Sequence, residues 1–380
     1  MKIINKQVIY RDPDFYSAFP AVASSDGGQH LIVVFRRAPN HCVLPGIRPD
    51  EAFHGDVTSQ LMKTESFDAG ASWSEPELLY AAPGGGCQDG GIFWDDKALI
   101  AHSFVWKFIP EFVADFLKDK PEGEFLYKLL GWMMPEGTVT MYSDDNGKNW
   151  NKAAFVDPCP GYPDMLPGFP SRLFNRGNIV RCPDGTLLLS GQLLRFKPEY
   201  RSSAAVYRST DNGKSWQYHA IAADDKGCGV WEEPYLVWCD DECKRLAMII
   251  RTHRDCENNS FERAMLFIIY SEDCGKTWST PVNMNIHGEP AGGYRLVDGR
   301  QLLVYGYRKA PEGVRMRICA GDFHDAAISE EIILCDNAER FDTGYPTVAP
   351  LGNNRYMIVY YNNPPSLKGT GGIEAVTVEI

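Results

Sequence analysis

Ser271-Glu272-Asp273-Cys274-Gly275-Lys276-Thr277-Trp278 carries the pattern Ser-x-Asp-x-Gly-x-x-Trp. The pattern returns at Ser66, Asp68, Gly70 and Trp73, at Ser143, Asp145, Gly147 and Trp150, and at Ser209, Asp211, Gly213 and Trp216. The serines stand 77, 66 and 62 residues apart (143−66, 209−143, 271−209). Each copy follows an alternating apolar run, such as residues 264–270, and precedes another short strand-like run, so it reads as the turn of a hairpin. In such a turn the aspartate accepts backbone N–H groups, glycine supplies the positive φ that other residues resist, and tryptophan buries a large ring against its neighbours. Repeats of this length, each built from about four strands, predict the blades of an all-β propeller.

Strand signals on either side of these turns give six inner strands, beginning near Phe19, Gly91, Gly177, Pro234, Gly292 and Tyr345. The expected fold is therefore a six-bladed β-propeller in one domain over residues 1–380. Four blades carry the repeated turn, residues 321–325 occupy its slot in degenerate form in the fifth, and the sixth has none. The sixth blade is also one strand short, since only residues 345–351, 355–362 and 373–380 remain for it. The run at residues 3–10 is expected to supply the missing outer strand and so to remove the free sheet edges of an open ring. Residues 108–134 break the alternation: Phe112, Phe116, Leu117, Leu126, Leu129, Leu130 and Met133 recur every three or four residues. This spacing predicts a helical insertion in blade two, split by Pro121 and Gly123 into two short helices. It would stand at the rim of one face, as a lid over a pocket or as plain decoration.

Composition narrows the class. Of 380 residues 44% are hydrophobic and 12% aromatic, enough for a sizeable core. The formal net charge of −12 disfavours nonspecific attachment to nucleic acid or an anionic membrane. Residues 1–12 lack the apolar core of a signal peptide, and no apolar run approaches spanning length, which makes a cytoplasmic chain the expectation. Eleven cysteines without a paired CxxC spacing suggest reduced, mostly buried thiols, with neither a zinc site nor a full disulfide framework.

In a propeller the inner strands converge on the axis, so residues that begin inner strands and end second strands crowd around one central opening. Before the inner strands lie Asp14 and Tyr16, Gln88 and Asp89, Asn175 and Arg176, Glu232 and Glu233, Glu289, and Asp342 and Tyr345. After the second strands come Arg36, Arg37 and His41, then Arg195, then Arg251, His253 and Arg254, then Arg308, with His54 and Asp56 in a long first-blade loop. Carboxylates, arginines and a tyrosine are thus expected on one face. The aspartates of the repeated turns belong to the opposite face, at its outer edge.

Over essentially its whole length the chain resembles the sialidase superfamily, whose six-bladed propellers carry these repeats as Asp boxes. Glu233-Pro234-Tyr235-Leu236-Val237 is similar to the inner-strand segment in which sialidases place a glutamate before proline. Arg251, in Ile249-Ile250-Arg251-Thr252, matches an arginine of their carboxylate-binding triad. Tyr345, in Gly344-Tyr345-Pro346-Thr347, matches the nucleophilic tyrosine, and Asp56, in His54-Gly55-Asp56-Val57, the acid/base aspartate. For the arginine that follows the second strand of blade five, the resemblance offers Arg315 ahead of Arg308. One position departs from the pattern. Sialidases open blade one with Arg-Ile-Pro, whereas this chain has Ala18-Phe19-Pro20, leaving Arg37 or Arg36 to replace the arginine from the adjacent strand.

The implied activity is that of an exo-glycosidase cleaving a terminal, acidic sugar such as sialic acid. Such a reaction needs a group to protonate the leaving oxygen and another to attack or stabilise the cationic sugar. Asp56 is the expected acid, and Tyr345 the nucleophile with Glu233 as its base. A neutral nucleophile avoids repulsion with an anionic substrate, and sialidases are the known exception to the two-carboxylate rule. Arg251, Arg315, Arg37 and Arg308 are expected to orient a carboxylate through forked hydrogen bonds. Asp89, Gln88 and His54 are expected to contact the sugar. The expected partner is a glycan or sialoside-like small molecule, and no cofactor or metal is called for. The competing readings are a glycosidase or lyase for another sugar, a noncatalytic carbohydrate-binding propeller, and a protein-interaction scaffold.

Overall fold

The longest apolar runs are strands buried on both sides, such as Leu246–Thr252 and most of His30–Pro39, because each blade is wedged between two others. Near-continuous apolar sequence is what such a position demands. Outer strands meet solvent and are correspondingly short and exposed, as at Glu77–Ala81, Ala154–Phe155 and Val282–Asn283. The computed structural model describes residues 1–40, 55–119, 127–128, 131–162, 164, 168–174, 176–195, 201–224, 230–252, 265–338, 343–364 and 370–380.

Six antiparallel sheets follow one another along the chain. Blade one is Phe15–Ser25, His30–Pro39, Gln60–Ser66 and Glu77–Ala81, and blade two is Gly85–Trp94, Leu99–Ile109, Trp132–Ser143 and Ala154–Phe155. Blade three is Ile179–Arg181, Leu187–Arg195, Arg201–Ser209 and Gln217–Ala223, and blade four is Glu232–Trp238, Leu246–Thr252, Met265–Ser271 and Val282–Asn283. Blade five is Ala291–Arg295, Gln301–Tyr307, Gly313–Cys319 and Ile332–Cys335. Blade six combines Thr343–Gly352, Arg355–Asn362 and Gly372–Glu379 with the first strand of the chain, Lys2–Tyr10, which pairs with Gly372–Glu379 at the outer edge. The core divides the same way. One large apolar cluster fills each of the six gaps between neighbouring blades, including the gap between blades six and one, where Tyr16, Phe19 and Phe35 meet Tyr345 and Tyr361.

The four repeated turns share one serine–aspartate–glycine hydrogen-bond pattern, and three of them add an indole bond that Trp73 lacks among the described residues. In the third copy Ser209 Oγ donates to Asp211 Oδ1 at 2.7 Å while accepting from the Gly213 N–H at 2.8 Å, and Asp211 Oδ1 accepts the Ser215 N–H at 3.0 Å. The Trp216 indole N–H donates to the Gly213 carbonyl at 3.2 Å, and its ring is almost fully buried. Gly213 has φ +85°, and a Cβ there would fall 2.2 Å from Ile100 Cδ1 in the neighbouring blade, so the turn needs glycine for conformation and for space. In the fifth blade's slot Asp325 Oδ1 still accepts the Ala320 N–H at 2.7 Å.

Two sequence expectations are corrected. The insertion in blade two does contain a helix, Glu111–Leu117, but its second half is not helical where it is described: Tyr127–Lys128 and Trp132–Met134 form strand, and Tyr127 pairs with Met133. The ladder to Leu99–Ile109 extends as far as Trp132, and that pairing overrides the three-to-four spacing of the apolar residues. Inner strands one and two also begin earlier than expected, at Phe15 and Gly85, because a bulge rather than a strand start lies at Phe19 and Asp89. Among the described residues no helix is long and apolar enough to cross a membrane.

Candidate active site

Four inner strands carry a bulge at the same level. The ladder register slips between Ala18 and Ala21, between Cys87 and Gly90, between Glu232 and Tyr235, and between Gly344 and Thr347. Bulges bend a strand and re-aim its side chains. In three of them the residue before a proline has a left-handed backbone: Phe19 at φ 55°, Glu233 at φ 51° and Tyr345 at φ 54°. Such a conformation costs a non-glycine residue about 1–3 kcal/mol and persists only when the surroundings enforce it. The prolines at 20, 234 and 346 supply no N–H to the interrupted ladder, so each bulge loses little by forming there.

These bulges bring Glu233 and Tyr345 together across the axis. The Tyr345 hydroxyl donates to Glu233 Oε1, and both residues are buried. The Glu233 backbone N–H donates to Gln192 Oε1 at 3.0 Å, which ties the bulge to blade three. Arg251 lies beside the pair, and each of its three nitrogens faces a different glutamate: Nε faces Glu233, Nη1 donates to Glu289 at 2.7 Å, and Nη2 lies 3.8 Å from Glu232. Arg308 Nη1 donates to the same Glu289 oxygen at 3.1 Å. The Tyr345 ring lies between cations, with the Arg176 guanidinium 4.9 Å and that of Arg308 5.8 Å from its centroid, and packs edge-on against Phe19 at 4.7 Å.

Burial sets the electrostatics. It pushes the Tyr345 hydroxyl well above the usual tyrosine range, as do the charges of Glu233 and Asp89, while Arg251 and Arg308 pull it back. Burial opposes the charge of Arg251, yet Glu233 and Glu232 outweigh it and hold the guanidinium ionised. Asp89 Oδ2 is 3.8 Å from Arg176 Nε, but burial raises this carboxyl well above its ordinary value despite that arginine, and Glu233 adds to the rise. Gln88 is buried beside it in the bulge, and its Oε1 has no hydrogen-bond partner among the described residues.

Asp56 is buried at the end of the first-blade loop, its Oδ1 accepting from the Thr58 N–H at 2.7 Å and the Thr58 hydroxyl at 2.6 Å. Its backbone carbonyl lies against Gly86, where a Cβ would come within 1.9 Å, so blade two approaches the loop only through glycine. Burial lowers the pKa of the fully buried Arg36, and Tyr16, Asp56 and Asp89 oppose that fall. Arg36 stacks near Phe19 and Tyr16 at 5.8 Å and stands opposite Ala18 in the ladder.

The other expected residues lie apart. Arg37 alternates away from Arg36, donates to Gln60 Oε1 at 3.2 Å and covers the Phe15 ring at 4.4 Å. The head of Arg315 is bound to the carbonyl oxygens of Cys335 at 2.5 Å and Pro311 at 2.7 Å, with its guanidinium over Tyr307, inside blade five. Arg308 holds the place beside Glu289 and Tyr345. His54, His41, His253, Arg254, Asn175 and Asp342 are outside the described residues. Arg176, Glu232, Glu289 and Arg36 belong to the cluster although position alone had only placed them near the axis; their signal was location at inner-strand starts and second-strand ends. Among the described residues no group of three or more His, Cys, Asp and Glu is set to hold a metal ion.

The family model described as a BNR repeat-like domain matches residues 115–358. Among solved structures, a protein of unknown function from Dyadobacter fermentans is 29% identical with a TM-score of 0.85, the match covering 100% of this chain and 99% of that one. The Hadza microbial sialidase Hz136 is 14% identical with a TM-score of 0.64, over 96% of this chain and 66% of its own. The Trypanosoma rangeli sialidase in complex with sialic acid is 13% identical with a TM-score of 0.61, over 95% and 54%. The chain thus spans from about half to two thirds of the length of those two sialidases, and likeness at these identities establishes the fold. No curated protein matches the sequence.

Proposed function

The chain belongs to the BNR repeat-like domain family, and from that premise we propose that it is a glycoside hydrolase whose chemistry is centred on Tyr345 and Glu233. The observation that carries this reading is the buried hydrogen bond from the Tyr345 hydroxyl to the Glu233 carboxylate. A phenol is a poor nucleophile until a base takes its proton, and a base already in contact removes the search for it. Arg251 and Arg308 support the phenolate that develops as Glu233 accepts the proton. Tyr345 then attacks the anomeric carbon, and Asp56, fixed by Thr58, delivers a proton to the departing oxygen. A covalent glycosyl-tyrosine follows, and water activated by Asp56 releases the sugar with retention. Arg36, Arg176 and Asp89 line the same end of the axis and position the sugar ring. The substrate in this reading is the terminal sugar of a glycoconjugate.

The test is release of aglycone from a panel of aryl glycosides that includes sialosides, uronides and rhamnosides. Turnover of one member, lost in Tyr345→Phe while sugar binding survives, is the expected result. Tight binding of a glycan with no turnover of any member would replace the hydrolase with a lectin-like propeller.

A further inference from the structure

Arg251, the arginine that the sialidase pattern would offer to a substrate carboxylate, has a glutamate facing every one of its nitrogens: Glu233 at Nε, Glu289 at Nη1 and Glu232 at Nη2. Arg308 shares Glu289, and Arg176 faces Asp89. Arg36 is supported by Asp56 and Asp89. Among the described residues the cluster therefore holds five carboxyl groups, at 56, 89, 232, 233 and 289, against four guanidinium groups, at 36, 176, 251 and 308. In the position where the family pattern has its first triad arginine stands Ala18, a methyl group. A forked guanidinium binds a carboxylate when its N–H pairs face the incoming anion. In Arg251 those pairs face carboxylates of the protein itself.

From this we infer that the site takes a sugar without a carboxylate, and that Glu289 is the residue that determines this specificity. The inference rests on the reading of the axial cluster as a glycoside site and names its substrate class. Glu289 accepts from both Arg251 and Arg308, at 2.7 and 3.1 Å, so it neutralises the two cations that would otherwise meet an acidic sugar beside Tyr345. An anion entering the cluster would have to displace the half-buried Glu289 from its two arginines, and that carboxylate would lose both of its cationic partners. A hydroxylated, uncharged sugar meets a different demand. Arg176 Nη2 and Gln88 Oε1 are buried without hydrogen-bond partners among the described residues, a donor and an acceptor of the kind that sugar hydroxyl groups satisfy. The tyrosine nucleophile is accounted for as well. With Glu232, Glu233 and Glu289 already crowded around Arg251, a neutral phenol adds no further carboxylate to the site, whatever the charge of the substrate.

The experiment uses the full chain and matched pairs of 4-nitrophenyl glycosides, galactoside against galacturonide and glucoside against glucuronide in both anomers, together with rhamnoside, fucoside and sialoside. Binding of the corresponding free sugars is measured by calorimetry. An uncharged glycoside is expected to exceed its carboxylate counterpart at least a hundredfold in kcat/KM. Glu289→Gln, which keeps shape and hydrogen bonding but removes the charge, should narrow that preference at least tenfold by improving the acidic member. A sialoside or uronide as the best substrate of the unaltered protein would overturn the inference and leave the hydrolase standing. No turnover, with uncharged sugars bound in preference to acidic ones, would uphold the specificity and overturn the hydrolase. Neither turnover nor binding across the panel would overturn both, and an unchanged preference in Glu289→Gln would remove Glu289 from the role.

Discussion

The repeated turns at the outer edge of one face and the bulges at the axis of the other are both built by repetition, but they repeat different things. In the turns the side chains recur: Ser, Asp, Gly and Trp are the same four times, and the serine-to-aspartate hydrogen bonds fall between 2.7 and 2.9 Å in every copy. In the bulges the backbone recurs while the side chain changes, with Phe19, Glu233 and Tyr345 sharing φ values of 51–55° but no chemistry. Where side chains repeat, the same local problem of closing a hairpin is being solved in each blade. Where only the backbone repeats, the fold presents equivalent positions to one central space and fills each for a different task.

This contrast is breakable by mutation. The largest effect is expected at the axis: Tyr345→Phe should lower kcat by about 10⁴-fold while leaving the urea unfolding midpoint nearly unchanged, because the ring and its neighbours remain. A comparable loss of stability with little loss of rate would reverse the assignment of the two regions. Trp216→Ala, in a turn, should do the converse, costing about 3–5 kcal/mol of unfolding free energy from a ring with only 2% exposure, with kcat per folded molecule retained. Asp56→Asn should lower kcat/KM for alkyl glycosides about a hundredfold but for nitrophenyl glycosides far less, since nitrophenolate leaves without a proton; equal losses of kcat/KM on both would remove Asp56 from acid catalysis. Asp211→Ala should cost only about 1 kcal/mol, read from the same unfolding curves, because the N–H groups it releases reach solvent.

The smallest effect is one of pH. Hydrogen bonds from the Ser72 side chain and backbone, and then from Ser66, depress Asp68 from 3.8 to about 2, and Asp145, Asp211 and Asp273 are lowered as well. A carboxyl depressed in the folded state contributes stability that is complete above its unfolded pKa and is lost as pH falls through the folded value. Stability should therefore decline between about pH 4 and pH 2, and removing the four aspartates should flatten that decline in an acid titration of the unfolding midpoint.

Much of this architecture is legible in the sequence, and the reason is locality. A turn of eight residues carries its own hydrogen bonds, so Ser209 to Trp216 announces itself without reference to the rest of the chain. Position at the starts of inner strands and the ends of second strands puts Glu233, Arg251 and Tyr345 near the axis among other polar residues, and the resemblance to sialidases singles them out. The illegible part is register and partnership. Arg36 and Arg37 are adjacent in the chain, and only the pleat decides that the first is buried near Phe19 while the second covers Phe15. Arg308 and Arg315 flank the loop of one hairpin in blade five. Which of them reaches Glu289 depends on the carbonyl groups of Pro311 and Cys335 that hold the other. The helical spacing of residues 108–134 held for Glu111–Leu117 and failed at Trp132–Met134, because the chain folds back there to pair with the end of Leu99–Ile109.

The pairing of Lys2–Tyr10 with Gly372–Glu379 has a bearing on how the molecule is made. During synthesis Lys2–Tyr10 emerges well before Gly372–Glu379, so it waits without its partner while five blades assemble. At about 5–20 residues per second, that delay lasts tens of seconds, during which an adhesive strand is exposed to whatever else the cell presents. The exposed positions of that strand are mixed, with Lys2, Asn5 and Lys6 beside Ile4 and Val8, and the three polar residues help to keep it soluble until the last blade arrives.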